Sequence, residues 1–547
     1  MKIHIFFQDR ALKEMDVKED FCKFPITVPA EEGLLKITFS VPIMDMQGYW
    51  IPSLRAPGFR LLWNIESCSA GQKDFPFLSF FNTENLNRFS VATTDLTDDT
   101  KITARMNQEK QQYDITISVA IRKDSSSFEL ILDQRPQLWT EILAAWRKEL
   151  DLPHPAFPPG AWEPVFCTWY AVHGAVTQDW VDKIAPIIAD LGFKTLIIDD
   201  GWCFDEMKRV SPQTISSWYE WIGDWELSQV KFPDFKAHRE RIRELGLQYL
   251  FWVTPFLIGE KSRFRKNFPD SCGSEYHEGC YVFRSKEKEA SNAMLDKLQH
   301  VIKDHDLDGL KIDFLDYILP DIEKPEGRTA TEFIRRLSGK VREVRQDALI
   351  EFRQSYATPG MMAYGTQFRA GDVPFDFIDN FLRLAQIRIS MGDGIPIHAD
   401  PAYWHSNESA MNISRHMIAS LAGVPMLSMD MASLSDMEYK IIKHWLGFYK
   451  LHLDTFRQGK WKVHYSMNNL AFMRAAGEKE SIIFLLEPTY LQEALASCAD
   501  HKVIVLNLAG KEIRLPGGLV TDEKGEYAGK EYIPAGCAGF LGYDEAQ

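Results

Sequence analysis

No run of lysine or arginine occurs anywhere along the 547 residues, and the formal net charge is -15, with 62 basic against 77 acidic side chains. A nucleic-acid groove or a face for anionic membranes needs clustered cations, so neither partner is expected. Long hydrophobic runs are missing too: no stretch reaches the roughly 18 apolar residues of a membrane span. The opening "MKIHIFFQDRALKEMD" has a short apolar run but neither the long apolar core nor the small-residue cleavage site of a signal peptide. Cysteine is sparse. Its eight copies, at 22, 68, 167, 203, 272, 280, 498 and 537, form neither the close pairs of a zinc site nor a dense disulfide framework. These absences predict a soluble protein of the reducing cytoplasm and leave its oligomeric state open.

What is present is ordinary globular composition, 45% hydrophobic and 25% charged. Single cores seldom grow past about 250–300 residues, so several domains are expected. Residues 1–150 carry short alternating runs ("LLKITFSVPI", "GFRLLWNIE", "YDITISVAI", "SFELIL") between turn residues, which predicts an N-terminal β-sandwich. The proline-rich "DLPHPAFPPG" (151–160) marks a boundary. Strand-like and helix-like stretches then alternate. After the strand "PVFCTWY" (164–170), Trp180, Ile184, Ile187, Ile188 and Leu191 fall at helical spacing, with Thr177 as cap and Gly192 as stop. "KTLIIDDGW", "LQYLFWVTP", "DGLKIDFLDY" and "ALIEFRQ" follow as strands with helices between them. This rhythm predicts a (β/α)₈ TIM barrel over 151–455, a multidomain α/β plus all-β chain. The tail, with "AFMRAAGEKESIIFLL", "HKVIVLNL" and "CAGFLGYD", returns to short strands and predicts a small sandwich-like β-domain over 456–547.

In "DGLKIDFLDY" (308–317) two charges interrupt a greasy strand. Residues two apart share a face, so Lys311 and Asp313 lie together while Leu310, Ile312 and Phe314 take the other side. Barrel chemistry gathers at the C-terminal ends of the strands. Those ends carry Trp169 on the first strand, Asp199-Asp200-Gly201-Trp202 on the second, Trp252 on the third and Arg353 on the fifth. The sixth unit offers Arg369-Ala370-Gly371-Asp372, and the eighth strand ends at Asp430. Each feature has a plain structural reading: an aspartate pair as helix cap, Lys311 with Asp313 as a salt bridge, tryptophans as packing, Arg369 paired with Asp372. Gathered on one rim, carboxylates, cations and indoles suit a sugar, whose hydroxyls take paired hydrogen bonds and whose apolar faces lie on tryptophan. Two carboxylates on different strands point to glycoside hydrolysis, one attacking the anomeric carbon and the other protonating the leaving oxygen.

Through the barrel the chain resembles the α-galactosidases of glycoside hydrolase family 36, in "IDDGW" (198–202), "FPDFKAHRERIRELGLQYLFW" (232–252), "GLKIDF" (309–314), "RAGDVPFD" (369–376) with "RLAQ" (383–386), and "LGFYKLH" (446–452). The resemblance implies a retaining exo-α-glycosidase for small α-galactosides that uses no metal and no organic cofactor. Asp313 would be its nucleophile and Asp372 its acid/base. Asp199, Asp200 and Lys311 would hold sugar hydroxyls, while Trp169, Trp202 and Trp252 wall the pocket and Arg353 and Arg369 contact substrate. Two stretches differ from the family's pattern: "WVTPF" stands where a Glu-Pro-Glu-like turn is usual, and "EFRQSYATPG" replaces a Cys-Ser, glycine-rich loop. Arg353 in the latter suggests an anionic or N-acylated sugar. An α-N-acetylgalactosaminidase, a transglycosylase and a non-catalytic carbohydrate-binding protein are the alternatives.

Overall fold

A computed structural model describes residues 1–496, 498 and 502–543. At the N-terminus a six-stranded antiparallel sheet (Arg10–Asp16, Lys2–Phe7, Gly33–Pro42, Gln112–Ile121, Thr100–Asn107, Asn64–Ser69 in spatial order) accompanies a five-stranded one (Phe21–Ile26, Phe128–Asp133, Asn87–Thr93, Phe77–Phe81, Gly48–Trp50). Strand alternation supplies the core between them: Leu35, Ile37, Phe39 and Val41 from one sheet meet Leu78, Phe80, Phe89 and Val91 from the other. The opposite face of the second sheet receives the helix Trp139–Glu149. Trp139 stacks on Trp50 at 5.1 Å and Trp146 on Phe75 at 5.0 Å. The same aromatic layer is continuous with the barrel core.

Eight parallel strands form the barrel: Val165–Cys167, Thr195–Ile198, Gln248–Val253, Gly309–Ile312, Leu349–Arg353, Gln367–Arg369, Ile397–His398 and Met426–Leu427. The eighth pairs with the first, and bridges from His398 to Val424 and from Ala402 to Leu427 tie the seventh to the eighth. Inside, Val165, Cys167, Ile197, Leu250, Leu349 and Met426 pack together. Outside, the helix Gln178–Leu191 begins and ends as its sequence requires. Thr177 accepts from Trp180 N, and Gly192 closes it in the left-handed region at φ 111°.

Three expectations need correction. The connection from the fifth to the sixth strand holds only the 3₁₀ turn Pro359–Met361, so seven units carry an α-helix and the fifth does not. Pro359, Gly360 and Gly365 in that stretch break helical continuity. The fourth strand stops at Ile312, and Phe314 adopts φ 55° rather than continuing it. The C-terminal region is one seven-stranded sheet, with a single parallel pair (Glu480–Leu485 with Lys502–Asn507), in place of two facing sheets. Register shifts after Arg514 and Val520 bend it around its own core of Phe472, Ile483, Val503, Val505 and Leu515. Its alternate residues Met473, Ile482, Phe484, Ile504 and Leu506 join the barrel's core. His501 and Asp544, at the ends of two expected strands, lie outside the described residues.

Candidate active site

The rim of the barrel is a network of buried charges. Lys311 Nζ meets Asp199 Oδ2 at 2.5 Å, and Cys167 Sγ donates to the same oxygen at 3.1 Å. Asp199 Oδ1 accepts from Asp200 N at 2.9 Å, so both oxygens of the first aspartate have partners. Asp200 accepts from Trp218 Nε1 at 2.7 Å through Oδ2, while its Oδ1 is buried without a partner. Lys311 and Asp313 both point into this interior, as the alternation predicts, but the lysine serves Asp199.

Asp313 has its own cage. The left-handed turn at Phe314 ends the strand and lifts Asp313 to the rim, with Phe314 N donating to Oδ1 at 2.8 Å. Arg353 Nε also bonds Oδ1, and the Tyr356 hydroxyl lies 3.1 Å away. Trp252 Nε1 donates to Oδ2 at 3.0 Å. Burial alone would push this carboxyl up. The cations of Arg353, Lys311 and Arg369, with the Trp252 N–H, outweigh it and hold Asp313 well below the usual carboxylate range. The charge of Arg353 is already paired: besides Asp313, its second contact is Asp316, 3.8 Å from Nη2.

Arg369 is a hub. Its Nη1 contacts Asp400 Oδ1 and lies 3.0 Å from Asp372 Oδ1, and its Nε is 3.4 Å from Glu351 Oε1. Asp400 further accepts from Val373 N at 2.8 Å and from the Tyr170 hydroxyl at 3.1 Å. Asp372 is half exposed, at 50% for the side chain, against 1% for Arg369. Desolvation raises Asp372, but Arg369 and Arg353 prevail and hold it low, while the charge on Asp313 pushes the other way. Six carboxyl groups (Asp199, Asp200, Asp313, Glu351, Asp372, Asp400) thus meet three cations (Lys311, Arg353, Arg369). Burial resolves part of the imbalance by pushing Asp200, Glu351 and Asp400 each up to about 7.

The indoles divide. Trp252 sits in the site on Asp313, and half-buried Trp169 packs edge-on to Trp218, the donor to Asp200, at 5.7 Å. Trp202 does not wall the pocket. It is fully buried, donates Nε1 to Trp252 O at 2.8 Å and stacks at 4.5 Å on Phe251, which faces the helices. The cause is Gly201 at φ 115°, where the chain turns away from the strand and restarts the alternation. Asp430 is likewise off the rim, exposed as the cap of the 3₁₀ turn Met431–Ser433. Sequence reasoning missed Cys167, Glu351, Tyr356 and Asp400. Glu351 and Cys167 obey the same two-residue alternation as Lys311, so that signal was present; Tyr356 and Asp400 lie on loops, where no periodicity marks them.

Residues 159–334 match the family model of melibiase. In sequence the chain is 22% identical over 370 residues to α-galactosidase 1 of Pediococcus pentosaceus, covering 60% of this chain and 48% of that one. It is 28% identical over 107 residues to α-galactosidase AgaA of Geobacillus stearothermophilus, covering 19% and 13%. The matched stretches therefore span less than half the length of these relatives. The fold extends further. The crystal structure of a single-residue variant of the family 36 AgaA, in complex with 1-deoxygalactonojirimycin, superposes with a TM-score of 0.66 over 93% of this chain and 77% of that one, at 13% identity. The chain thus resembles α-galactosidases in sequence over part of its length, and the family 36 enzymes in fold along nearly its whole length.

Proposed function

We propose that the protein is a retaining exo-α-glycosidase, an α-galactosidase that releases terminal galactose from small α-galactosides. The observation that carries this reading is the setting of Asp313: a carboxyl caged by Arg353, Trp252 and Tyr356 at the end of the fourth barrel strand, with a second, half-exposed carboxyl on Arg369. A carboxylate so held is a ready nucleophile. Its attack on the anomeric carbon breaks the glycosidic bond, and Asp372 gives its proton to the leaving oxygen. The negative charge of Asp313 favours the proton on Asp372 and opposes the lowering by Arg369 and Arg353. Once Asp313 is bound to sugar that charge is gone, the Asp372 pKa falls, and Asp372 is left as the base that takes a proton from attacking water. Asp200, Asp199 and Lys311 hold ring hydroxyls, and Trp252 and Trp169 flank the ring. The galactose-like ligand of the Geobacillus relative supports the choice of sugar. Eight unpaired cysteines suit a reducing compartment, and we place the enzyme in the cytoplasm. Proton NMR of the first product formed from 4-nitrophenyl α-galactoside tests the mechanism. The α-anomer of galactose appearing first is the expected result, and the β-anomer first would replace double displacement by a single inversion.

A further inference from the structure

A cavity of about 370 Å³ lies between the N-terminal sheets and the barrel, and nothing above uses it. Its inner end is built from Arg353 and Asp316, and Arg353 also bonds Asp313, so one guanidinium borders both the cavity and the carboxylate proposed to attack. Asp316 Oδ1 is buried there without a hydrogen-bond partner. Beside it, burial pushes Asp74 up to about 7, against the charge of Lys73 and with that of Asp316. This end offers acceptors for hydroxyl groups.

The outer end has the opposite character. It carries Arg55, Lys73 and Arg383. Arg55 and Arg383 share one carboxylate, Asp379, at 2.6 and 3.2 Å, which leaves a cation in excess. Lys73 takes part in no ion pair among the described residues. Exposure follows the same axis, from 20% for Asp316 to 52% for Arg55. Acceptors at one end and an excess of cations along the lining do not match a uniformly neutral ligand.

We propose that this cavity holds the leaving group and selects a hydroxylated aglycone bearing an anion, a carboxylate or a phosphate, with hydroxyls toward Asp316 and the anion between Lys73 and Arg55. The assignment rests on the glycosidase reading for its role and on the cavity alone for its ligand class.

Two measurements separate these. NMR titration of the protein with glucose, glucuronate and glucose 6-phosphate reads the cavity without turnover. At least one anion is expected to bind roughly five- to tenfold tighter than glucose, as two partly exposed charge contacts allow. Which anion gains tells carboxylate from phosphate. The double variant Lys73→Gln, Arg55→Gln is expected to lose that ratio, and a ratio within one variant is insensitive to the fraction folded. Equal affinity for all three sugars, or a preference that survives in the variant, overturns the proposal. The second measurement compares kcat/KM for melibiose and for melibionate, its carboxylate counterpart. Melibionate is expected to be the better substrate by a similar factor. Preference for melibiose overturns the leaving-group role; no turnover of either substrate, or of 4-nitrophenyl α-galactoside, removes the glycosidase reading itself while the titration still decides the ligand class.

Discussion

In the proposed mechanism Asp313 and Asp372 need opposite protonation states, yet both feel Arg353 and Arg369. Arg353 is the nearer partner of Asp313, and its loss removes the leading charge that keeps that carboxyl ionised. Arg353→Gln is therefore expected to move the acid limb of the kcat/KM profile to higher pH, measured over pH 4–8 (a range chosen to bracket roughly the ordinary carboxylate and histidine values). An unmoved limb would assign Arg353 a packing role only. Asp200 tests the charge imbalance. Its folded pKa, about 7, lies above the unfolded value of 3.8, so the folded state holds the proton more tightly. Stability from that proton is fully present below the unfolded pKa and is lost as pH rises through the folded one. Asp200→Asn, which cannot ionise, should therefore gain on wild type by roughly 2–4 kcal/mol at pH 8 and far less at pH 4, read by chemical denaturation, while losing activity. An equal effect at both pH values would contradict the assignment.

At the scale of elements, the turn after the second strand decides what the "DDGW" stretch does. Gly201 is left-handed, and a Cβ there would lie 2.5 Å from Gly174 Cα, with Lys231 Nζ bonding the carbonyls of both glycines at 2.7 Å. Gly201→Ala is expected to cost about 2–4 kcal/mol in thermal or chemical unfolding, from strain and overpacking together. A change below about 0.5 kcal/mol would mean the loop relaxes freely. The same turn explains what could be read from sequence and what could not. Period-two alternation within a strand correctly put Lys311 inside the barrel and, applied to Glu351 and Cys167, would have found them too. It fails once a turn intervenes, which is why Trp202 falls behind the third strand and Asp430 off the rim. The helix expected after the fifth strand came from the regularity of its neighbours rather than from the proline and glycines at 359, 360 and 365. Loop residues such as Tyr356 reach Asp313 only through tertiary packing.

At the scale of the molecule, three sheet systems share one hydrophobic core. The second N-terminal sheet reaches it through Trp50, stacked on Trp139 of the helix Trp139–Glu149, and the C-terminal sheet through Ile482, Phe484 and Leu506. Phe484 stacks on Trp461 at 6.0 Å and approaches Phe381 of the helix Phe377–Met391 at 5.9 Å. Truncating it should destabilise by roughly 3–5 kcal/mol, and calorimetry should still show barrel and C-terminal sheet melting together. Separate transitions would show that the shared core does not couple them. In the proposed function this scaffold places one carboxylate, Asp313, at the end of the fourth barrel strand. The most direct test is hydrolysis of 4-nitrophenyl α-galactoside by the wild type and by Asp313→Ala, with and without azide. Wild-type turnover, a loss of at least ~10³-fold in the variant and recovery by azide as a substitute nucleophile are the predicted results. An Asp313→Ala protein within about tenfold of wild type, or one that azide leaves unchanged, would contradict the account.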